Sequence, residues 1–120
     1  MMKLAASLIL LPMVPLAVVA QTTQQPDKVL YDTAVSDIQH GRYQRARIEL
    51  QTLVNTYDTS PLAPAALFAI ADSWYREGGA RNLDQSEKQC QDLIAQYPNA
   101  PAAAEAKQLL KKIAAARAPK

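Results

Sequence analysis

The sequence reads NTYDTSP at residues 55–61 and AQYPNAP at residues 95–101. At this shift of 40 positions Tyr57 aligns with Tyr97, and Pro61 aligns with Pro101. The match extends to apolar positions on both sides, which pair Leu50 with Cys90, Leu53 with Leu93, Val54 with Ile94, Ala63 with Ala103 and Ala66 with Ala106. A repeat of about 40 residues with two helices per unit is typical of a helical solenoid.

The residues after Pro26 show helical periodicity and no alternating strand pattern. Gly41 suits the end of a first helix, and Ser60 suits the N-cap of a third, with Pro61 at its first position. Asn82 and Gln85 form a candidate capping box for a fourth helix. The predicted helices span residues 27–40, 43–57, 61–77, 82–97 and 101–118. The sequence therefore predicts an all-α helical solenoid of two helix-turn-helix repeats plus a C-terminal capping helix.

Buried positions follow from the same periodicity. The second helix carries an apolar stripe through Leu50 and Leu53, and the fourth repeats it through Cys90 and Leu93. Because Cys90 occupies the place of Leu50, we expect a buried core thiol and not a nucleophile. In the third helix we expect an inward stripe of Leu67, Ile70, Ala71 and Trp74.

The first twenty residues differ in character from the rest. Lys3 precedes an uncharged apolar run that ends at Ala20, as in a secretory signal peptide. The alternative is a retained membrane anchor, which Pro12 and Pro15 disfavour because they interrupt a spanning helix. We therefore expect a signal peptide at 1–20 cleaved after Ala20, a polar tether at 21–26, a repeat domain at 27–117, a tail at 118–120, and a periplasmic location.

No constellation of catalytic residues is present in the sequence. His40, the only histidine, stands beside Gly41 at a predicted helix end, where a surface or capping role is expected. No cysteine or histidine pair has metal-ligand spacing, and Gly78-Gly79 lacks the lysine of a phosphate loop. We therefore expect no enzyme activity, no cofactor, no metal and, given export and a net charge of only +2, no nucleic acid.

Two basic clusters allow two interpretations. The first comprises Arg42, Arg45 and Arg47, and the second comprises Lys107, Lys111, Lys112, Arg117 and Lys120. They are either solvated helix surface or weak contacts for anionic lipid head groups.

A family resemblance is carried by several motifs. Gly41-x-Tyr43-x-x-Ala46-x-x-x-Leu50, followed by Tyr57, resembles the tetratricopeptide repeat. Residues 28–113 resemble the outer-membrane protein assembly lipoproteins (BamD-like), through segments GRYxxAR at 41–47, LVNTY at 53–57, ADSWYREGG at 71–79 and YPN at 97–99. A Tol–Pal-associated periplasmic repeat protein is similar over the same stretch.

The sequence departs from the lipoprotein family in two respects. Gln21 stands where the lipid-bearing cysteine is expected, so the sequence resembles a short form without lipid attachment. It also covers two and a half repeats, where the family has about twice as many.

The resemblance implies a binding groove, since the first helix of each tetratricopeptide pair lines the concave side. Carried over by register, the candidate partner-binding residues are Tyr31, Gln39, Phe68, Asp72, Tyr75 and Arg76. Phe68 has an alternative role in packing against the fifth helix. The implied function is capture of an envelope protein or peptide in outer-membrane protein assembly. The alternative is a structural or self-associating Tol–Pal-type protein, with helix five as a cap or as a dimer contact and the oligomeric state open.

Overall fold

The computed structural model describes residues 24–119, and this part of the chain is built from α-helices alone. The predicted signal peptide, residues 21–23 of the tether and Lys120 lie outside the described residues. The helices are α1 (Pro26–Gln39), α2 (Tyr43–Thr56), α3 (Ala63–Glu77), α4 (Ala80–Gln96) and α5 (Pro101–Arg117). The all-α prediction is confirmed.

The helices form two layers. Each helix packs against its neighbours in sequence, and α3 also contacts α1 and α5, whereas α2 and α4 make no backbone contact with each other. The inner layer is therefore α1, α3 and α5, and the outer layer is α2 and α4. Every residue from 43 to 60 matches the residue 40 positions later in being buried, half-buried or exposed. The two helix-turn-helix units are thus equivalent in packing as well as in sequence.

The core lies between the layers. Leu50, Leu53, Cys90 and Leu93 are fully buried, as their shared stripe predicts. Burying each leucine contributes roughly 1.5–3 kcal/mol. Small residues line the contacts between paired helices and let their backbones approach closely, namely Ala34, Ala46, Ala66, Ala71 and Ala106.

Two predicted helix starts are wrong. Helix α3 begins at Ala63, because the Ser60 hydroxyl and carbonyl accept hydrogen bonds from Leu62 and Ala63 and so close a separate turn before the helix. Helix α4 begins at Ala80, not at Asn82, since Gly78 and Gly79, both at positive φ, redirect the chain straight into the helix. Asn82 then lies inside the first turn, where its side-chain amide donates to the Gly78 carbonyl at 2.6 Å.

Helix α5 covers the end of the described stack. Its Ala106, Leu109 and Ile113 are buried against the preceding helices. The exposed Lys107 and Lys111 stand where α3 has buried Leu67 and Ala71. A lysine side chain keeps its charge in water, so this face suits the solvent-facing side of a capping helix.

Candidate functional site

Two adjoining cavities lie along the inner layer. One of about 210 Å³ opens between α1 and α3, and the other, of about 330 Å³, opens between α3 and α5. They share Phe68, Asp72 and Arg76 from α3 and Glu105 from α5. We call the two cavities together the groove.

All six candidate site residues line the groove. Tyr31 and Gln39 belong to the first cavity, Tyr75 belongs to the second, and Phe68, Asp72 and Arg76 belong to both. The structure therefore brings the predicted residues together on one surface. Their role in binding a partner remains a prediction.

The aromatic side chains form the apolar part of the groove. Tyr31, Phe68 and Tyr75 are each half-buried and pack against the core with one side. Phe68 thus combines the two roles that the sequence left as alternatives, since it packs on the core and lines both cavities. Burial, followed by the charges of Glu105 and Asp32, raises the pKa of Tyr31, which keeps its hydroxyl protonated as a hydrogen-bond donor.

The polar part of the groove is an ion pair within α3. The Arg76 Nε lies 2.7 Å from the Asp72 Oδ2, four residues earlier on the helix, as the spacing predicts. Because Arg76 is about half exposed to water, the pair contributes only about 0.3–0.5 kcal/mol. A partner with its own charged or polar groups can therefore replace this pairing at little cost.

Helix α5 supplies groove residues that sequence reasoning missed, namely Glu105, Gln108, Leu109 and Lys112. The sequence predicts Lys112 as solvated surface or a lipid contact, and it predicts no role in the groove for the other three. The repeat register could have identified Gln108 and Lys112, because they lie 40 positions after Phe68 and Asp72. The groove consequently has an acidic and a basic side chain from α5 beside the Asp72–Arg76 pair.

Trp74 lies on the other side of α3 from Tyr75. Its ring is partly buried, and the guanidinium carbon of Arg47 in α2 stands 3.5 Å from the ring centroid. Arg47 also donates to the Ser73 hydroxyl at 3.1 Å and to the Glu77 carboxylate at 2.7 Å. With a side chain only 12% exposed, Arg47 fits neither interpretation of the first basic cluster and instead joins α2 to α3.

Three further arginines near helix ends are also paired. Arg42 Nε lies 2.8 Å from the Asp37 carboxylate, and Arg45 lies 3.9 Å from it. Arg117 binds both Asp84 and Glu87 in α4. The lysines at 107, 111 and 112 on α5 are exposed, and they are the better candidates for the predicted weak lipid contact.

The two residues with catalytic potential occupy structural positions. Cys90 is fully buried, and burial, with the nearby Asp72 and Glu87 carboxylates, raises the pKa of its thiol to about 11. The thiol therefore stays protonated and inert near neutral pH. His40 caps the end of α1, with its Nδ1 2.8 Å from the Ser36 carbonyl. Both placements confirm the structural interpretation of these residues.

Two further observations concern the described part of the chain. Across residues 24–119 no three histidine, cysteine, aspartate or glutamate side chains come together in a way that could hold a metal ion. None of the helices α1 to α5 combines the length and apolar character needed to cross a bilayer.

Comparison with known proteins agrees with this architecture. Residues 23–106 match the family described as YfiO, outer membrane lipoprotein, which confirms the resemblance carried by the motifs around Gly41 and Trp74. A search of the curated proteins finds no match. The matched segment includes α1 to α4 and the start of α5, and thus most of the groove. The chain belongs to the YfiO family of tetratricopeptide-containing outer membrane lipoproteins.

Proposed function

We infer that the protein is an exported interaction module of the cell envelope, which binds a segment of a partner protein in the groove during outer-membrane protein assembly. The observation that carries this inference is the row of half-buried aromatics beside a replaceable ion pair. Apolar area left in water at such a row becomes favourable to cover. Membership in a family of outer membrane lipoproteins supports the envelope location.

The groove favours a peptide segment over a small molecule. Each cavity is about as large as one or two side chains, and the two adjoin at Phe68 and Asp72, which line both. A chain segment could place an apolar side chain in each cavity while its polar groups meet Asp72, Arg76, Glu105 or Lys112. Aromatic anchors with a charged rim are the usual energetic centre of such contacts.

Self-association through α5 is the less favoured alternative. The face of α5 that would receive a further helix carries Lys107 and Lys111. Two copies meeting there would bring like charges together, which opposes a stable contact. This argument leaves the groove as the better surface for a Tol–Pal-type partner as well as for an assembly partner.

Photo-crosslinking in cells tests the proposal. A photo-reactive amino acid replaces Tyr75 in the groove and, as a matched control, Ile48, an apolar side chain that is 62% exposed on α2. We expect a defined adduct with an outer-membrane assembly component from position 75 and none from position 48. Adducts with Tol–Pal components would indicate a Tol–Pal-type function in place of the assembly role. Equal adduct yields from both positions would contradict the groove as the binding surface.

The location is tested on the same cells. We propose that the signal peptide is removed after Ala20, so N-terminal sequencing of the periplasmic protein should begin at Gln21. Recovery of membrane-bound protein with Met1 retained would contradict this.

A further inference from the structure

Two buried carboxyl oxygens in the first hairpin lack any hydrogen-bond partner among the described residues. They are Oδ2 of Asp37 in α1 and Oε1 of Glu49 in α2. Asp37 and Glu49 lie on the two packed helices of one hairpin, and each carboxyl group influences the pKa of the other. Two ionised carboxylates cannot hydrogen bond, because both are acceptors, and leaving both charged and buried is costly. A single proton between them would satisfy both oxygens.

The surroundings assign the charge to Asp37. Its other oxygen, Oδ1, accepts a hydrogen bond from Arg42 Nε at 2.8 Å, and the Arg42 backbone N–H donates to its carbonyl, also at 2.8 Å. Arg45 Nε stands 3.9 Å from Oδ2, too far for a hydrogen bond. Glu49, in contrast, has no arginine bound to it.

Other charged groups near this end of the hairpin are already engaged. Helix α3 brings Glu77 to the same end, where Arg47 holds its carboxylate. His40 at the end of α1 is exposed and bonds to the Ser36 carbonyl. Because it is an ionisable side chain in the same hairpin, a test must separate it from the carboxyl pair.

The pKa values of the two carboxyl groups therefore shift in opposite directions. The hydrogen bond from Arg42 holds the pKa of Asp37 below its usual value. Burial first, and then the hydrogen bond and charge of Asp37, raise the pKa of Glu49 to about 7. Neighbouring carboxyl groups that separate in this way share one proton over the interval between their two titrations.

We propose that Asp37 and Glu49 share one proton that holds α1 against α2, and that loss of this proton as the pH rises loosens the hairpin. Helix α1 carries Tyr31, Val35 and Gln39, which form one wall of the groove. The same proton therefore adjusts the position of that wall. The effect on hairpin stability stands without the proposed function, whereas its effect on partner binding rests on that function.

The direction of the pH effect follows from linkage. Glu49 titrates at a higher pH in the folded protein than in the unfolded chain, so the folded state binds the extra proton. Its contribution to stability is complete below about pH 4.5 and is lost as the pH rises through about 7. Asp37 acts oppositely and weakens the fold only in acid, below its ordinary titration range.

The second hairpin shows which residue can replace Glu49 in a test. Gln89 occupies the position equivalent to Glu49 at the shift of 40 residues, has the same burial class, and lines a cavity with Trp74. A glutamine is therefore compatible with this place in the repeat. In Glu49→Gln the side-chain amide can donate to Asp37 without titrating.

The test is thermal unfolding of the wild type and Glu49→Gln between pH 5 and 8. We expect the wild-type Tm to fall by roughly 5–10 °C over this range and the variant to lose most of that dependence. His40→Asn, the matched control, should retain the wild-type slope. Parallel curves for the wild type and Glu49→Gln, or a flat curve for His40→Asn alone, would overturn the proposal.

A carbon NMR titration of the wild type keeps the test independent of the variant's folding. The side-chain carboxyl carbon of Glu49 should titrate near pH 7 in the folded protein, well above the ordinary range of a glutamate side chain. Titration of Glu49 in the ordinary acidic range of a glutamate side chain would overturn the shared proton, whatever the crosslinking experiment shows about the groove.

Discussion

Cys90 reports on the repeat register at the scale of a single residue. It is fully buried at the place where the first unit has Leu50, and burial keeps its thiol protonated. We expect thiol reagents to label it slowly in the native protein and fast in denaturant, followed by mass spectrometry. Equal rates would contradict the register. Cys90→Ala should lower the free energy of unfolding by about 1–2 kcal/mol.

Arg47 is the residue whose role could not be predicted from its neighbours in sequence. Its partners Ser73, Trp74 and Glu77 lie on α3, and no local pattern reveals which arginine of the cluster faces them. The burial of Cys90, by comparison, could be predicted because the repeat aligns Cys90 directly with Leu50. Contacts between helices depend on how far each helix is rotated about its own axis. The apolar periodicity determines that rotation only to within about one residue position.

The Arg47 contacts give a prediction with a close control. Arg47→Lys keeps the charge but loses the forked hydrogen bonds and the flat stacking on Trp74. We expect it to lower the free energy of unfolding by about 1–2 kcal/mol in urea titrations. Arg45→Lys, at a side chain that is 70% exposed, should change it by less than about 0.5 kcal/mol. Equal losses for both variants would contradict the packed role of Arg47.

At the scale of elements, Ser60 ties α1 to the turn before α3. Its hydroxyl donates to the Asp27 carboxylate at 2.6 Å and accepts from the Leu62 N–H at 3.0 Å. The sequence predicted a cap at Ser60 but not this bond across the repeat, because Asp27 lies 33 residues away. Helix existence was predictable from periodicity, whereas the starts of α3 and α4 depended on turn geometry that two or three residues decide.

A double-mutant cycle tests the Ser60–Asp27 link. Ser60→Ala and Asp27→Ala should each lower the free energy of unfolding, and the pair should lose less than the sum by about 0.5–1.5 kcal/mol. Thr59→Ala, next to Ser60 and exposed, should have little effect. Additive losses would mean that Ser60 acts only as a local cap.

For the molecule as a whole, the two-layer arrangement separates packing from recognition. The outer helices α2 and α4 place Arg47 and the leucines against α3, while the inner helices turn Tyr31, Phe68 and Tyr75 toward the groove. The groove residues of α1 and α3 could be predicted because the repeat family fixes which face is inward. Those of α5 were missed because the helix was interpreted as a cap, although the alignment of Ala66 with Ala106 already placed it in the register of α3.

The central claim is that the groove is the binding surface. Tyr75 and Trp74 are adjacent in sequence but lie on different sides of α3, so each serves as the control for the other. Truncating Tyr75 removes an anchor of the groove with limited loss of core packing. Truncating Trp74 removes the ring that Arg47 covers and leaves a cavity between helices.

The most direct measurement is adduct yield in cells from a photo-reactive residue at Gln39, on the α1 side of the groove, together with Tm in vitro. The account predicts that Tyr75→Ala lowers the adduct about tenfold, equivalent to about 1.4 kcal/mol, and changes Tm by only a few degrees. Trp74→Ala should lower Tm much more. A Tyr75→Ala protein that keeps the full adduct, or one that unfolds while Trp74→Ala does not, would contradict the account.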